Sequence, residues 1–264
     1  MSGKVTFIGA GPGAADLITV RGQKALQSAD IIFYDNLVDP ALLEGLSAEQ
    51  VFVGKLKGAH SMPQEGINST LADHALQGKH VVRLKGGDCA VFGRLGEELL
   101  HLVERGVPYE VIPGVTSSTA APTFAGIPVT HRGVSDSFYV VTAHRRDDSL
   151  EITVPPYAPS TTIVLMMALT TTETWHRKLL EQGYPEDIPV AYISNGGTPR
   201  QQVLETTLGQ APEAVRHAQL ASPVMAVVGE VVRLREKLRW FAETQPIPGQ
   251  NAPSKEGAQP PAEG

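Results

Sequence analysis

Val81-Val82-Arg83-Leu84-Lys85-Gly86-Gly87-Asp88-Cys89-Ala90-Val91-Phe92-Gly93-Arg94-Leu95-Gly96-Glu97-Glu98 is the stretch on which the reading of this chain turns. The run 81–84 is apolar and β-favouring, it breaks into a glycine pair and an aspartate, and helical spacing resumes around Glu97, Leu99 and Leu100. A strand therefore feeds an open loop and then a helix. Two glycines remove Cβ atoms, so backbone groups at 86 and 87 can approach a ligand closely, and Asp88 offers an acceptor for hydroxyl or amino protons. In open α/β sheets ligands collect beyond the carboxyl ends of strands, which makes Gly86-Gly87-Asp88 a candidate binding rim. A tight turn with a capping aspartate accounts for those three residues alone equally well.

Working outward from the rim, residues 4–9 read as a buried first strand that runs into Gly9-Ala10-Gly11-Pro12-Gly13-Ala14-Ala15-Asp16 and then a helix over 20–29. Residues 31–35 give a second strand ending in the acid Asp35, and 51–55 a third ending in the base Lys55. Residues 63–78 carry a proline near the start, apolar Ile67, Leu71 and Ala75, and a closing glycine, the marks of a helix. Downstream, a helix from Glu97 stops before Gly106, and 109–112 is the next strand. Strands alternating with helices imply a mainly parallel sheet.

The texture changes at 115–128, which is dense in Thr, Ser, Ala, Gly and Pro and has too little bulk for an ordinary core segment. The expected division is an N-terminal α/β domain over 1–114 and a C-terminal α/β domain over 115–243. In the latter, strands are expected at 138–142, 162–169, 190–194, 202–206 and 224–228, with helices over 172–182 and 230–241. Several of these strands adjoin without a helix between them, so the second sheet should be mixed. Residues 244–264 hold almost nothing to bury and read as a disordered tail.

Composition narrows the function. With 42% hydrophobic and 19% charged residues the chain is an ordinary globular protein, and a net charge of −6 argues against nucleic acid as the main partner while leaving room for a local basic pocket. Asp, Arg, Gly or Pro interrupts every apolar run before it could span a bilayer, and the start lacks a basic region followed by an apolar block, so a cytoplasmic protein is expected. The single cysteine, Cys89, excludes an internal disulfide framework and a cysteine zinc cage, and is read as a packing thiol. His131 and His144 show no metal-ligand spacing, and no metal site is expected. Met166 and Met167 are read as core filling in their strand.

Three motifs carry a functional and a plain reading side by side. The first glycine loop matches G-x-G-x-x-A, with Asp30 or Asp35 at about the distance of a ribose-binding acid, which suggests a nicotinamide or flavin enzyme. Pro12 weakens that match by removing an N–H from a loop whose task is to present N–H groups, and a strand-to-helix turn explains the glycines as well. Arg94 and Glu97 share a helix face, as an exposed pair or as ligand contacts beside the rim. Thr130-His131-Arg132-Gly133 follows the rigid turn Gly126-Ile127-Pro128, which could aim Arg132 into a cleft between domains.

Several motifs together resemble the tetrapyrrole methylases: Gly9-Ala10-Gly11-Pro12-Gly13, Tyr34-Asp35-x-Leu37-Val38, Val53-Gly54-Lys55, Pro63-Gln64-Glu65, the run from Val82 to Asp88, Phe92-Gly93-Arg94, Pro113-Gly114-Val115-Thr116-Ser117, the run from Gly126 to Gly133, and Val228-Gly229-Glu230-Val231-Val232. The likeness covers about residues 3–241 and outweighs the nicotinamide reading. It implies a two-domain α/β homodimer with S-adenosylmethionine held in a cleft between the domains and the tetrapyrrole beside it. The activity it implies is C-methylation of uroporphyrinogen III at C2 and C7, giving precorrin-2, on a sirohaem or cobalamin route.

Matched residue by residue, the family's methyl-donor contacts fall on Pro12, Gly86, Gly87, Asp88, Val91, Thr116, Ser117, Met167 and Gly196. Its proton acceptor and donor fall on Asp35 and Lys55, and its substrate-binding positions on Arg94, Glu97 and Arg132. The chain departs from the family pattern at Ala14, where aspartate is usual, at Cys89-Ala90 in place of proline-phenylalanine, at Leu95 in place of glycine, and at Met166-Met167-Ala168 in place of tyrosine-methionine-glycine. The other readings are a methylase acting later on the corrin route, a nicotinamide-dependent reductase, and a non-catalytic tetrapyrrole-binding protein.

Overall fold

The run that opens the sequence reading forms β4 (His80–Lys85), and it sits in the middle of a five-stranded, all-parallel sheet. The other strands are β1 (Lys4–Gly9), β2 (Ile31–Tyr34), β3 (Glu49–Phe52) and β5 (Tyr109–Ile112), in the order β3-β2-β4-β1-β5. The structure, a computed structural model, describes residues 3–54, 62–144 and 152–241. Lys55 and the tail expected over 244–264 lie outside the described residues.

Successive side chains of a strand point to opposite faces, and here both faces are covered, which is why these strands read as continuous apolar runs. Val5, Phe7, Ile31, Phe33 and Val81 pack with α2 (Gln64–Leu76) and Leu102 of α3 (Leu95–Glu104). Ile8, Ile32, Val82 and Leu84 pack on the opposite side with Leu26 of α1 (Val20–Gln27). The register sets Gly9 beside Lys85 and Tyr34 beside Leu84, so three strands end at one level. The loops that leave them meet at one edge.

Residues 115–128 correct the sequence expectation. They form α4 (Ser117–Phe124), and Ala121, Ala125 and Ile127 are fully part of a buried cluster with Val164, Ala191 and Val227. Small side chains there bring a helix close to a sheet instead of loosening the chain. The second sheet contains β6 (Ser137–Thr142), β7 (Thr161–Met166), β8 (Pro189–Ser194), β9 (Gln202–Thr207) and β10 (Val224–Val228), ordered β6-β7-β10-β8-β9. Only β6 and β7 pair in parallel, so the sheet is mixed as expected.

Helix α5 (Thr172–Glu181) buries Trp175 and Leu179 against this sheet, and α6 (Ala211–His217) had no forecast in the sequence. The helix expected over 230–241 is instead a 3-10 stretch, Glu230–Leu234, followed by the short α7 (Arg235–Leu238). Tertiary contacts decide this: Val231 and Val232 are both buried, and Arg235 turns inward to donate to the carbonyl of Ala125 at 2.6 Å and to Glu205 at 2.9 Å.

Candidate active site

The loop after β4 is stitched to the loop after β1. Gly11 N–H donates to the Gly87 carbonyl at 3.2 Å, and Gly87 N–H donates to Gly11 at 2.7 Å. A 3-10 turn (Ala15–Leu17) follows, and α1 starts only at Val20, capped by the Thr19 hydroxyl. The first glycine loop thus neither opens a helix nor keeps its Gly11 N–H for a pyrophosphate. The dinucleotide reading loses its geometric basis here. Asp88 ties the rim to the next loop, one carboxylate oxygen accepting from Ala90 N–H at 2.8 Å and the other from Gly114 N–H at 2.9 Å.

Gly87 has φ +68°, and a Cβ there would meet nothing nearer than the backbone N and Oγ of Ser117, both at 3.7 Å. Its bare face therefore opens on the start of α4, where Thr116 Oγ1 caps the helix by accepting from Ser118 N–H. Across from it, a Cβ at Gly196 would lie 2.4 Å from the Ala121 Cβ, so only glycine lets the loop after β8 settle on α4.

These loops enclose a cleft of about 1210 Å³ between the two sheets. That is larger than an ordinary small-molecule site of about 300–1,000 Å³. Pro12, Gly86, Gly87, Asp88, Val91, Thr116, Ser117, Met167 and Gly196 all line it, as do Asp35 and Arg94. Four of the five described non-glycine residues with positive φ also line it: Phe92, Arg94, Met167 and Asn195. Such backbones cost about 1–3 kcal/mol each and gather where a surface is shaped for a ligand. Met167 differs from the core-filling expectation: β7 ends at Met166, and Met167 turns left-handed and half-exposed at the cleft.

Glu97 and Arg132 are not in the lining. Glu97 stands behind Arg94 and accepts from its Nε at 2.9 Å, which pushes the guanidinium pKa further up through that hydrogen bond. Arg132 is exposed at the tip of a turn closed by His131 and Ser135, whose backbones exchange hydrogen bonds of 2.8 Å. Ser135 Oγ is in turn bonded to the Ser160 carbonyl and to Thr162. The turn is thereby fastened to the second sheet, and the rigid Gly126-Ile127-Pro128 segment does not aim Arg132 into the cleft.

The sequence reading missed a buried charge network under the first wall. Arg83 and Lys85 are two apart on β4 and face the same side, toward Glu98 of α3, whose side chain is fully buried. Arg83 Nε lies 3.3 Å from one Glu98 oxygen, Lys85 Nζ pairs with the other, and Gln64 Nε2 donates to Glu98 at 3.2 Å. Arg83 Nη1 donates to the carbonyls of Phe33 and Leu84, while Nη2 reaches Asp35 Oδ2 at 3.3 Å. The other Asp35 oxygen accepts from Leu37 N–H at 3.1 Å. Burial pushes the Lys85 ammonium pKa down, against the opposing pull of Glu98. Two basic residues inside an apolar strand of a doubly covered sheet must find buried partners, and that was the available signal.

Cys89 is completely buried under this wall, and burial pushes its thiol from 9.0 up to about 12, which suits packing and not nucleophilic chemistry. Among the described residues no three His, Cys, Asp or Glu side chains gather as a metal site, and no helix is long and apolar enough to cross a membrane.

Comparison with known proteins bears on this cleft. Residues 4–212 match the model of the Tetrapyrrole (Corrin/Porphyrin) Methylases. The siroheme synthase of Azotobacter vinelandii is 43% identical over 246 residues, which is 92% of this chain and 53% of that protein. The chain thus spans about half the length of the curated relatives it matches. The native uroporphyrin III C-methyl transferase of Thermus thermophilus superposes with a TM-score of 0.76 at 36% identity, covering 88% of this chain and 100% of that one. The same enzyme in complex with S-adenosyl homocysteine gives 0.73 at 34%, covering 88% and 94%. A cobalt precorrin-4 methyltransferase gives 0.73 at 30%, covering 87% and 95%.

Proposed function

This chain belongs to the tetrapyrrole methylases, and from that premise we propose that it moves methyl groups from S-adenosylmethionine to C2 and C7 of uroporphyrinogen III, giving precorrin-2. The observation that carries the reading is the Asp35 carboxylate, held by Arg83 on one oxygen and Leu37 N–H on the other, lining the same cleft as the Gly86-Gly87-Asp88 rim. We further propose a homodimer, with units over 1–114 and 115–243.

The donor matches the bare face of Gly87, the Ser117 hydroxyl and backbone at the start of α4, and the left-handed Met167 on the opposite wall. The pyrrole carbon is electron-rich and the sulfonium is already a good leaving group. As the new C–C bond forms, the C–S bond breaks and the methylated ring takes up the positive charge. The protein's main work is to align carbon, methyl and sulfur and to exclude water. Asp35 is assigned the ring proton that leaves as the charge is lost, and Lys55 the return of a proton to a second ring atom where the double bonds shift, so that each methyl cation gained is balanced by one net proton lost. Arg94, whose Nε and Nη2 are held by Glu97, offers the remaining Nη1–Nη2 edge of its guanidinium to the peripheral carboxylates.

The test is incubation of purified protein with S-adenosylmethionine and uroporphyrinogen III, read by product mass. A gain of two methyl groups supports the reading. No gain, with methylation of a later corrin precursor in its place, moves the enzyme to the activity that the precorrin-4 relative's name describes.

A further inference from the structure

Four cationic side chains line the cleft among the described residues: Arg83, Lys85, Arg94 and Arg200. Three of them are already matched. Arg83 is held by Asp35 and Glu98, Lys85 by Glu98, and Arg94 by Glu97. Arg200 forms no ion pair and no side-chain hydrogen bond with any described residue. It sits on the second wall, in the loop between β8 and β9.

That loop is held firmly on both sides of Arg200. The Thr198 hydroxyl donates to the Asn195 carbonyl at 2.8 Å and accepts from Arg200 N–H at 3.2 Å. Gln201, buried beside it, accepts from Gly197 N–H at 2.9 Å and donates to the Phe124 carbonyl at 3.2 Å. Toward the first wall, Thr198 Cγ2 lies 2.7 Å from where a Cβ of Gly13 would stand, so the loop rests against the first glycine loop. A mobile cation on a wandering loop would gain little from a ligand, but this one extends from a pinned base.

We propose that Arg200 anchors a peripheral carboxylate of the bound tetrapyrrole from the second wall, opposite Arg94, in the place that the sequence had suggested for Arg132. The inference rests on the function proposed above. A ligand with eight carboxylates around the rim of its macrocycle is best held by cations on both sides of the cleft, and the first wall's cations are largely neutralised by Asp35, Glu98 and Glu97. Arg200 supplies positive charge that no described carboxylate cancels. The methyl donor also carries one carboxylate, so the experiment must separate the two ligands.

Uroporphyrin III, a stable fluorescent octacarboxylate, serves as the binding probe, with S-adenosylhomocysteine for the donor side and uroporphyrinogen III for turnover. Arg200→Ala should bind uroporphyrin III about tenfold more weakly and raise KM similarly, with kcat and S-adenosylhomocysteine affinity unchanged. Arg200→Lys should recover part of the loss, since it keeps the charge without the fork. Arg21→Ala, on the exposed face of α1, should change neither ligand and so controls for net charge. If Arg200→Ala loses the donor analogue and keeps uroporphyrin III, the guanidinium serves the donor and the inference falls. It also falls if the wild type binds and methylates while Arg200→Ala matches it throughout. A wild type that neither binds uroporphyrin III nor methylates uroporphyrinogen III overturns the function and this inference together.

Discussion

The two walls of the cleft are held in place by different chemistry. Under the first, Asp35, Arg83, Lys85 and Glu98 form a buried chain of charges, and glycines let loops from β1, β4 and β5 meet. Behind the second the loops at the cleft are held by neutral groups, with an ion pair, Arg235 to Glu205, set further back at the end of α4: Gln201 pins the loop after β8 through its amide, Ser194 Oγ bonds to the Ala221 carbonyl, and Trp175 Nε1 donates to the Ala168 carbonyl at 2.9 Å. Charges fix direction strongly but need every partner in place, whereas amide pins tolerate more. The first wall is suited to steering a proton and a methyl donor, and the second to accommodating a large ligand.

The widest gap between the walls should appear in stability. Glu98→Leu strands the buried Lys85 ammonium and takes one of its two carboxylates from Arg83, and is expected to cost about 3–5 kcal/mol, while Gln201→Ala leaves one backbone N–H and one carbonyl unpaired and should cost about 1–3 kcal/mol. Denaturant unfolding of both variants reads the difference, and equal losses would erase the distinction. Next in size is a kinetic effect confined to the first wall. Asp35→Asn keeps the shape but removes the proposed base, and should lower kcat by about 10²–10⁴ with S-adenosylhomocysteine affinity unchanged; a variant with full kcat would take Asp35 out of the proton step.

A smaller effect is expected in alkali. Below pH 9 the Cys89 thiol is protonated in both folded and unfolded chains, so its contribution is flat. Between 9.0 and about 12 the unfolded chain has lost a proton that the folded chain keeps, and stability falls as pH rises. In the core between the second sheet and α5, burial likewise pushes the Tyr184 hydroxyl from 10.0 up to about 12. Cys89→Ala should therefore remove the part of the alkaline stability loss that begins near pH 9. A pH series of melting temperatures that is unchanged by the substitution would mean that the thiol ionises freely in the folded chain.

The same contrast explains what could be read in advance. On the first wall, glycine pairs, strand-ending acids and helix-closing glycines are local signals, and they located β1, β2, β4, the rim and Asp35. The Arg83–Glu98 network escaped because its members are fifteen residues apart and its logic appears only once α3 lies across β4. On the second wall the strands were legible from their apolar runs, but α4 was hidden by its small residues. Arg132 was favoured by a rigid turn whose direction is set by the distant Ser135–Ser160 and Ser135–Thr162 bonds. Arg200 carries no local signal at all, because its place at the cleft follows from how the loop after β8 rests on α4 and on Gly13.

The division of labour within the cleft is tested most directly by calorimetric titration of S-adenosylhomocysteine into the wild type, Gly87→Leu and Arg94→Ala in parallel. A leucine at 87 would adopt a strained φ and place its side chain in front of Ser117, whereas Arg94 should serve only the tetrapyrrole. The expected result is binding to the wild type and to Arg94→Ala with the same affinity, and none measurable for Gly87→Leu. Unimpaired binding by Gly87→Leu, or loss of binding by Arg94→Ala, would contradict a donor seated on the rim with the cations reserved for the substrate.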